Sequence, residues 1–261
     1  MITAASNSRI KRLVQLNQKS KLRRTEDVFL AEGVKMFLEA PRKQLQEVYV
    51  SESFLEKCSC REHLEEVGYE VVSDSVFSKI SDTCTPQGVL CVLKQFHYNI
   101  EEMLRDEAPL FLLLENIQDP GNLGTRLRTG EGAGVSGIIM SRDTVDLYNP
   151  KVIRSTMGSI YRVPFYYADD FAAAVHQVQQ AGVSVYAAHL RGKNSYACQD
   201  YTKGTAFLIG NEGNGLREET AELADCYIRI PMEGKVESLN AAVASSILMY
   251  EAHRQRATIE K

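Results

Sequence analysis

Apolar and polar positions along this chain fall into short blocks with two different periods. Leu110-Phe-Leu-Leu-Leu114 and Thr205-Ala-Phe-Leu-Ile209 are unbroken apolar or near-apolar runs ended by turn residues, the pattern of strands buried on both faces. Ile138–Met140, Val183–Ala187 and Cys226–Ile230 read the same way. Long crossovers separate these runs, which predicts an α/β unit built on a parallel sheet with helices on both sides. Before residue 100 the blocks are shorter. Strands are predicted over Val28–Leu30, Glu47–Ser51, Tyr69–Val72 and Val89–Leu93, with helices over Val34–Glu39 and Ser53–Glu66. Lys94–Ala108 is polar and lacks a clear period. The chain is therefore expected to divide into a domain over 1–95, a linker over 96–108 and a larger domain over 109–261.

Composition narrows the class without naming a function. Apolar content of 44% and charged content of 25% over 261 residues are those of an ordinary globular protein. No apolar run approaches the length of a bilayer span, and Met1–Arg9 has no apolar signal core, so a cytoplasmic protein without membrane attachment is expected. The six cysteines form no CxxC pair. Cys58-Ser-Cys60 has no second ligand pair, and the five histidines are scattered, so no metal is expected.

The net charge of −4 hides an uneven distribution. Arg9, Lys11, Arg12, Lys19, Lys21, Arg23 and Arg24 precede the first acid, Glu26. Ile10, Leu13, Val14 and Leu16 supply one apolar side of a helix, leaving the cations to face outward. A basic helix on an otherwise acidic protein is an electrostatic footprint for a phosphate backbone. Lys151 and Arg154 lie in a second segment that sets cations beside small residues, read either as a candidate nucleic-acid surface or as a plain solvated helix.

Three elements carry candidate chemistry. Glu115-Asn-Ile-Gln-Asp-Pro-Gly-Asn-Leu-Gly-Thr-Arg-Leu-Arg128 follows an apolar strand; Asp119-Pro-Gly121 is a turn, Asn122 is placed to cap a helix, and that helix runs to about Ala133. Gly210-Asn-Glu-Gly-Asn-Gly215 follows the strand 205–209, and its glycines allow close backbone approach to a flat ligand. Ile228-Arg-Ile-Pro-Met-Glu-Gly234 ends a strand in a stiff loop, and Ser238 is placed to cap the helix behind it. Gly132-Ala-Gly-Val-Ser-Gly137 satisfies GxGxxG but closes a helix and opens a strand, so it is read as a C-cap and turn, not as a dinucleotide site.

Taken together these elements resemble the SpoU (TrmH-like) branch of the SPOUT RNA methyltransferases. Asn122, Gly124 and Arg128 match the family's Asn-x-Gly motif with arginine four residues after the glycine, and the other two elements follow in the family's order. Phe29-Leu-Ala-Glu-Gly33 and Thr85-Pro-Gln-Gly88 are similar to an L30e-like substrate-binding domain that often precedes the catalytic one. The resemblance implies a trefoil-knotted catalytic domain, a homodimer, and methyl transfer from S-adenosylmethionine to a ribose 2′-hydroxyl of RNA. It carries cofactor contacts to Gly210, Ile230 and Leu239, and active-site positions to Asn122, Arg128, Glu212, Ser238 and Asn240. Large-subunit rRNA is the favoured substrate, tRNA the alternative, and a non-catalytic RNA-binding or assembly protein the reading from another class. One residue departs from the pattern. The position two after Gly124 is usually apolar in the family, and here it is Arg126, for which contact with RNA and a place on the solvent side of the helix are both open.

Overall fold

A computed structural model describes residues 1–235 and 238–259. In chain order the first elements are α1 (Ser8–Gln18), α2 (Ser20–Glu26), β1 (Val28–Glu32), α3 (Val34–Leu38), β2 (Leu45–Ser51), α4 (Glu52–Lys57), α5 (Arg61–Val67), β3 (Glu70–Val72), α6 (Asp74–Ile80) and β4 (Val89–Lys94). Next come α7 (Ile100–Met103), β5 (Leu110–Leu114), α8 (Pro120–Ala133), β6 (Gly137–Ser141), α9 (Pro150–Thr156), β7 (Phe165–Ala168) and α10 (Phe171–Gln180). The last are β8 (Ser184–Ala188), β9 (Asn194–Ser195), β10 (Thr205–Ile209), α11 (Glu218–Ala221), β11 (Cys226–Arg229) and α12 (Ala241–Ile259). Two compact units result: Met1–Phe96 with Asp146–Tyr161, and His97–Val145 with Arg162–Lys261. No helix among the described residues is long and apolar enough to cross a membrane.

The first unit is a four-stranded sheet in the order β1-β4-β2-β3, in which β4 runs antiparallel to both neighbours and β3 parallel to β2. Ile10, Leu13 and Leu16 of α1 are buried in its core beside Val76, Phe77 and Ile80 of α6. The apolar face expected of the basic helix is therefore present. The helix expected over Ser53–Glu66 is two helices, because Cys58 leaves α4 in an extended conformation and Cys58-Ser-Cys60 holds the break open. Helix α6 was not anticipated.

The cations of the basic segment do not all face outward. Arg23 is 3% exposed, and its guanidinium donates to the Leu16 and Asn17 carbonyls and pairs with Asp146 at 2.5 Å. It serves to pin the α1–α2 junction to the segment 146–161, and its expected place on an RNA surface is corrected accordingly. Arg12 is half-buried between Glu26 and Glu47, at 2.7 and 2.8 Å. Arg9 lies 3.6 Å from Glu70, and Arg154 lies 3.2 Å from Asp82. Lys11, Lys19, Lys21, Arg24 and Lys151 are exposed and have no ion-pair partner among the described residues.

The second unit is a seven-stranded sheet in the order β7-β6-β5-β10-β8-β11-β9, parallel at every pairing. β5, β6 and β10 are buried along their whole length, as their unbroken apolar runs predict. Alternate residues Phe111, Leu113, Ala206 and Leu208 face a core that includes Val175 and Val178 of α10. Within 96–108, expected as a linker, Ile100 and Met103 of α7 join that core. Strand β7 follows Pro164 and was not expected; its two middle residues are only half-buried, as befits the edge of the sheet.

Removing Asp146 leaves the buried Arg23 charge without its counter-ion. Asp146→Ala is expected to cost about 2–3 kcal/mol in urea unfolding, at the low end for a broken buried pair because Asp146 retains some solvent contact. The double variant Arg23→Met/Asp146→Ala should recover part of the loss. A cost below about 0.5 kcal/mol would place the pair with ordinary surface ion pairs.

Candidate active site

Parallel strands all end on one edge of the sheet, and ligands in such sheets gather there, where neighbouring connections diverge. In this chain the β5–α8 connection and the loop after β10 lie side by side, because β5 and β10 pair in register from Thr205 opposite Leu110 to Ile209 opposite Leu114. The loop after β10 turns back on itself through reciprocal 3.0 Å hydrogen bonds between Asn211 and Gly215. The Asn211 side chain accepts from the Gly213 and Asn214 N–H groups and donates to the Asn116 carbonyl at 2.8 Å. At the base of the loop, buried Glu115 accepts from the Arg217 N–H and from the Thr220 hydroxyl.

The glycines of this loop serve a nearer purpose than expected. A Cβ on Gly210 would lie 2.2 Å from the Gly215 carbonyl carbon, and Gly215 has a φ of +71°. Gly210 is thus required by the loop's own backbone crossing over it, and Gly215 by the left-handed turn. The space beside Gly210 is taken up by the Gly215–Leu216 backbone, whereas nothing lies within 4 Å of a Cβ on Gly215.

Beside the loop lies a cleft of about 280 Å³ at the carboxyl ends of β8, β10 and β11. It brings together all three expected cofactor residues, Gly210, Ile230 and Leu239, with Ser238, and adds Leu216 and Leu248 to its apolar walls. His189 also lines it. Burial, aided by the Arg191 charge, pushes the His189 pKa down, so the ring is neutral at pH 7. Its Nδ1 accepts the Arg191 N–H at 3.1 Å, which puts the proton on Nε2, and Tyr227 packs on the ring with centroids 5.1 Å apart. Sequence reading passed over His189; its position just beyond a parallel strand was the available signal.

Next to the cleft a chain of polar side chains links four segments. Glu212 accepts from the Gln118 N–H at 3.1 Å, the Asp119 N–H at 3.4 Å and the Asn122 amide at 3.3 Å. Burial raises its pKa, but the Gln118 N–H, its own N–H, the Asn122 amide and, as the smallest contribution, the charge of Arg126 together outweigh that and hold the carboxyl below its ordinary range. The oxygen of the Asn122 amide accepts from Asn240 Nδ2 at 3.1 Å, and Asn240 Oδ1 accepts from the Ala242 and Val243 N–H groups. The helix ends differ from expectation at two positions. Asp119, not Asn122, caps α8, with Pro120 in its first turn and the Asn122 N–H bonded to its carboxylate. Asn240, not Ser238, supplies the side chain that caps α12.

Arg126 is neither on the solvent side nor available to RNA. It is 0% exposed, its Nε donates to Ser245 Oγ at 3.1 Å, and its Nη1 lies 3.6 Å from Glu212. Burial pushes its pKa down to about 10 against the opposing pull of Glu212, and Nη1 and Nη2 have no hydrogen-bond acceptor. Arg128 stands apart from this cluster. Six residues after Asn122 on a helix put it about 120° around the axis and about 9 Å along it. Its side chain is exposed, with no hydrogen-bond or ion-pair partner among the described residues. The chain therefore unites Asn122, Glu212 and Asn240 directly, sets Ser238 in the adjoining cleft, and leaves Arg128 outside. No group of three or more His, Cys, Asp or Glu that could hold a metal occurs among the described residues.

Comparison with known proteins gives a consistent picture. The family model described as the SpoU rRNA Methylase family matches residues 109–250, and that of an MRM3-like substrate binding domain matches residues 7–91. The 23S rRNA (guanosine(2553)-2'-O)-methyltransferase RlmP of Bacillus subtilis is 32% identical over 252 residues, spanning 95% of this chain and 97% of its own. The solved AdoMet-bound rRNA methyltransferase from Sinorhizobium meliloti superposes with a TM-score of 0.83 at 31% identity, over 97% of each chain. The SpoU methyltransferase AviRb from Streptomyces viridochromogenes, in complex with AdoMet, gives a TM-score of 0.87 at 27% identity, over 97% of this chain and 99% of that one.

Because Gly210 is enclosed by backbone, Gly210→Val is expected to open the 210–216 loop while sparing the sheet. Amide exchange at residues 211–216 should accelerate, with β5 still protected. Unchanged exchange in that loop would mean that the crossing tolerates a side chain.

Proposed function

The chain belongs to the SpoU rRNA methylase family, and we propose on that basis that it transfers a methyl group from S-adenosylmethionine to a ribose 2′-hydroxyl of large-subunit rRNA. The observation that carries the reading is the Asn122–Glu212–Asn240 chain beside a cleft at the carboxyl ends of parallel strands. Apolar walls at Leu216, Ile230 and Leu239, with loop backbone and Ser238 between them, suit a flat heterocycle with polar edges, so the cleft fits the nucleoside part of the cofactor. Bound there, the cofactor supplies a methyl group already activated on sulfonium. The chain's own task is then to align the ribose hydroxyl and to reduce the cost of its negative charge.

Asn122 and Asn240 are amides with orientations fixed by their partners, suited to positioning a hydroxyl nucleophile. Arg128 acts as a charged clamp on the developing alkoxide or a neighbouring phosphate, since arginine stays protonated in proteins and makes strong charge-assisted hydrogen bonds. Its distance from Asn122 within one chain fits action across a homodimer. On α12, Ala242, Ser245 and Leu248 are buried, whereas Val243 and Tyr250 are each 49% exposed and Ile247 lies between them. That stripe of Val243, Ile247 and Tyr250 is the proposed interface between two copies. The family's trefoil knot and a cytoplasmic site of action are part of the same reading.

In vitro transcripts of rRNA and tRNA incubated with labelled S-adenosylmethionine test the function. Label is expected at one ribose of large-subunit rRNA. Label on tRNA alone would favour the alternative substrate, and none on either would favour the non-catalytic reading. Arg128→Ala should abolish methylation and retain cofactor binding by calorimetry. Arg128→Lys should keep a weak, pH-independent residual rate; a steep climb toward about pH 10 would instead make residue 128 a base.

The exposed cations of α1 and α2 are proposed to supply general RNA affinity through phosphate contacts. Replacing Lys19, Lys21 and Arg24 with Gln should flatten the salt dependence of RNA binding by about 2–3 in log–log slope. An unaltered slope would mean that these side chains are only solvated.

A further inference from the structure

Arg126 is the least expected side chain in the second unit. It is 0% exposed, two of its three nitrogens lack a hydrogen-bond acceptor, and the carboxylate within ion-pair distance is Glu212. A guanidinium in that position is costly unless something depends on its charge. The groups around Glu212 identify the dependency. From α8 come Arg126 and the Asn122 amide; from the β5–α8 connection come the Gln118 and Asp119 N–H groups. Asn240, preceding α12, stands behind Asn122. Asp119 is the other carboxylate that acts on Arg126, and it is engaged in capping α8.

Every hydrogen-bonding group aimed at Glu212 is a donor. A carboxylate accepts from all of them, whereas a protonated carboxyl would turn an O–H toward an N–H. The consequence passes along the chain of amides. With Glu212 accepting from Asn122 Nδ2, the Asn122 oxygen faces Asn240 and accepts from its amide. The Asn240 oxygen is then free to accept the two N–H groups that open α12. The helix end and the carboxylate thus impose the same orientation on two amides from opposite sides; ionised Glu212 accepts on both oxygens at once, whereas a protonated one would set an O–H against one of its N–H donors.

We propose that Arg126 is a positioning residue for methyl transfer: its buried guanidinium is the counter-charge that keeps Glu212 an acceptor-only carboxylate, which fixes the amides of Asn122 and Asn240 and the Gln118–Asp119 backbone beside the cleft. Arg126 touches neither substrate nor cofactor in this role. The proposal rests on the methyltransferase reading for its catalytic consequence, and on geometry alone for the coupling of Arg126 to Glu212.

The sign of the pH effect follows from the depressed carboxyl. Glu212 is ionised above its folded-state pKa, so its contribution is present at neutral pH and is lost as pH falls through that value. Without the Arg126 charge that loss begins at higher pH. Two readouts on Arg126→Met test this. The first is the 13C-carboxyl NMR titration of Glu212, assigned with Glu212→Gln, and the second is the pH profile of the single-turnover methylation rate. Both acid limbs are expected to move to higher pH by the same amount, with cofactor affinity near that of the wild type because Arg126 does not line the cleft. Arg126→Lys, which keeps a charge and gives up the planar fork, should return both limbs toward the wild-type position. An unmoved Glu212 titration in Arg126→Met overturns the proposal, as does a rate loss equal at every pH. If Arg126→Met does not fold, Arg126→Lys decides: limbs at the wild-type position support the counter-charge role, and limbs moved to higher pH despite the retained charge overturn it. A moved titration in a protein that methylates no RNA would reject the functional reading and leave the Arg126–Glu212 coupling standing.

Discussion

The pairing of Leu110–Leu114 with Thr205–Ile209 is the constraint on which the site depends. It brings together two connections that lie almost a hundred residues apart in sequence, and its register decides which groups meet. Once Ile209 stands opposite Leu114, Glu115 meets Arg217, Asn116 meets Asn211, and Gln118 and Asp119 meet Glu212. A slip of one residue would also turn the inward side chains of a strand to its other face. The strands are apolar on both faces, so the pairing is held by burial along its whole length, at about 1.5–3 kcal/mol for each fully buried large side chain. The loops add little to that stability. They use the rigidity it provides, and Asn116 even takes the left-handed conformation at φ 52° to carry its carbonyl to the Asn211 amide.

Much of this architecture was legible in the sequence. Uninterrupted apolar runs mark β5 and β10 to the residue, and the Gly132–Gly137 segment does end a helix, with Gly134 left-handed as its C-cap. Local signals failed where two of them competed. Asn122 and Asp119 both suit an N-cap, and Pro120 decides for Asp119, because proline favours the first helical turn and the residue before it is driven to extended backbone. Ser238 and Asn240 compete in the same way, and the start of the helix at Ala241 selects Asn240. Strand β7 did carry a signal, the aromatic run Phe165-Tyr-Tyr-Ala168, but its middle residues are only partly covered and it is one residue shorter than β5 or β10.

The site was legible in its residue types and less so in its arrangement. Asn122, Glu212 and Asn240 sit more than a hundred residues apart at the extremes; the β5–β10 register brings Glu212 to Asn122, and the packing of α12 against α8 adds Asn240. Charge was the weakest guide. Counting cations treats every arginine as a surface group, yet Arg23 and Arg126 are both buried, one among carbonyls and Asp146, the other against Glu212 and Ser245. Neither partner could be read from local sequence, since Asp146 and Glu212 are remote along the chain. Arginine is the cation best suited to such places, because its delocalised charge is weakly hydrated and its planar donors can divide between acceptors.

The two buried arginines differ in how well they are satisfied, and that difference carries meaning. Arg23 has two carbonyls and a carboxylate at 2.5–3.1 Å, enough to offset much of the desolvation of a structural pin. Arg126 has one hydroxyl at 3.1 Å and a carboxylate at 3.6 Å, a poor return if stability alone were at stake. A side chain selected only to fill the space between α8 and α12 would carry no charge at all. Its position makes sense when the charge acts on Glu212, because electrostatic influence persists at 3.6 Å in a buried setting where a hydrogen bond has already failed. Glu212 is then free to use its oxygens on Gln118, Asp119 and Asn122, which a close bidentate arginine would have taken from them. The looseness of the Arg126–Glu212 contact is thus what lets one carboxylate be neutralised from behind while it organises the backbone and amides in front.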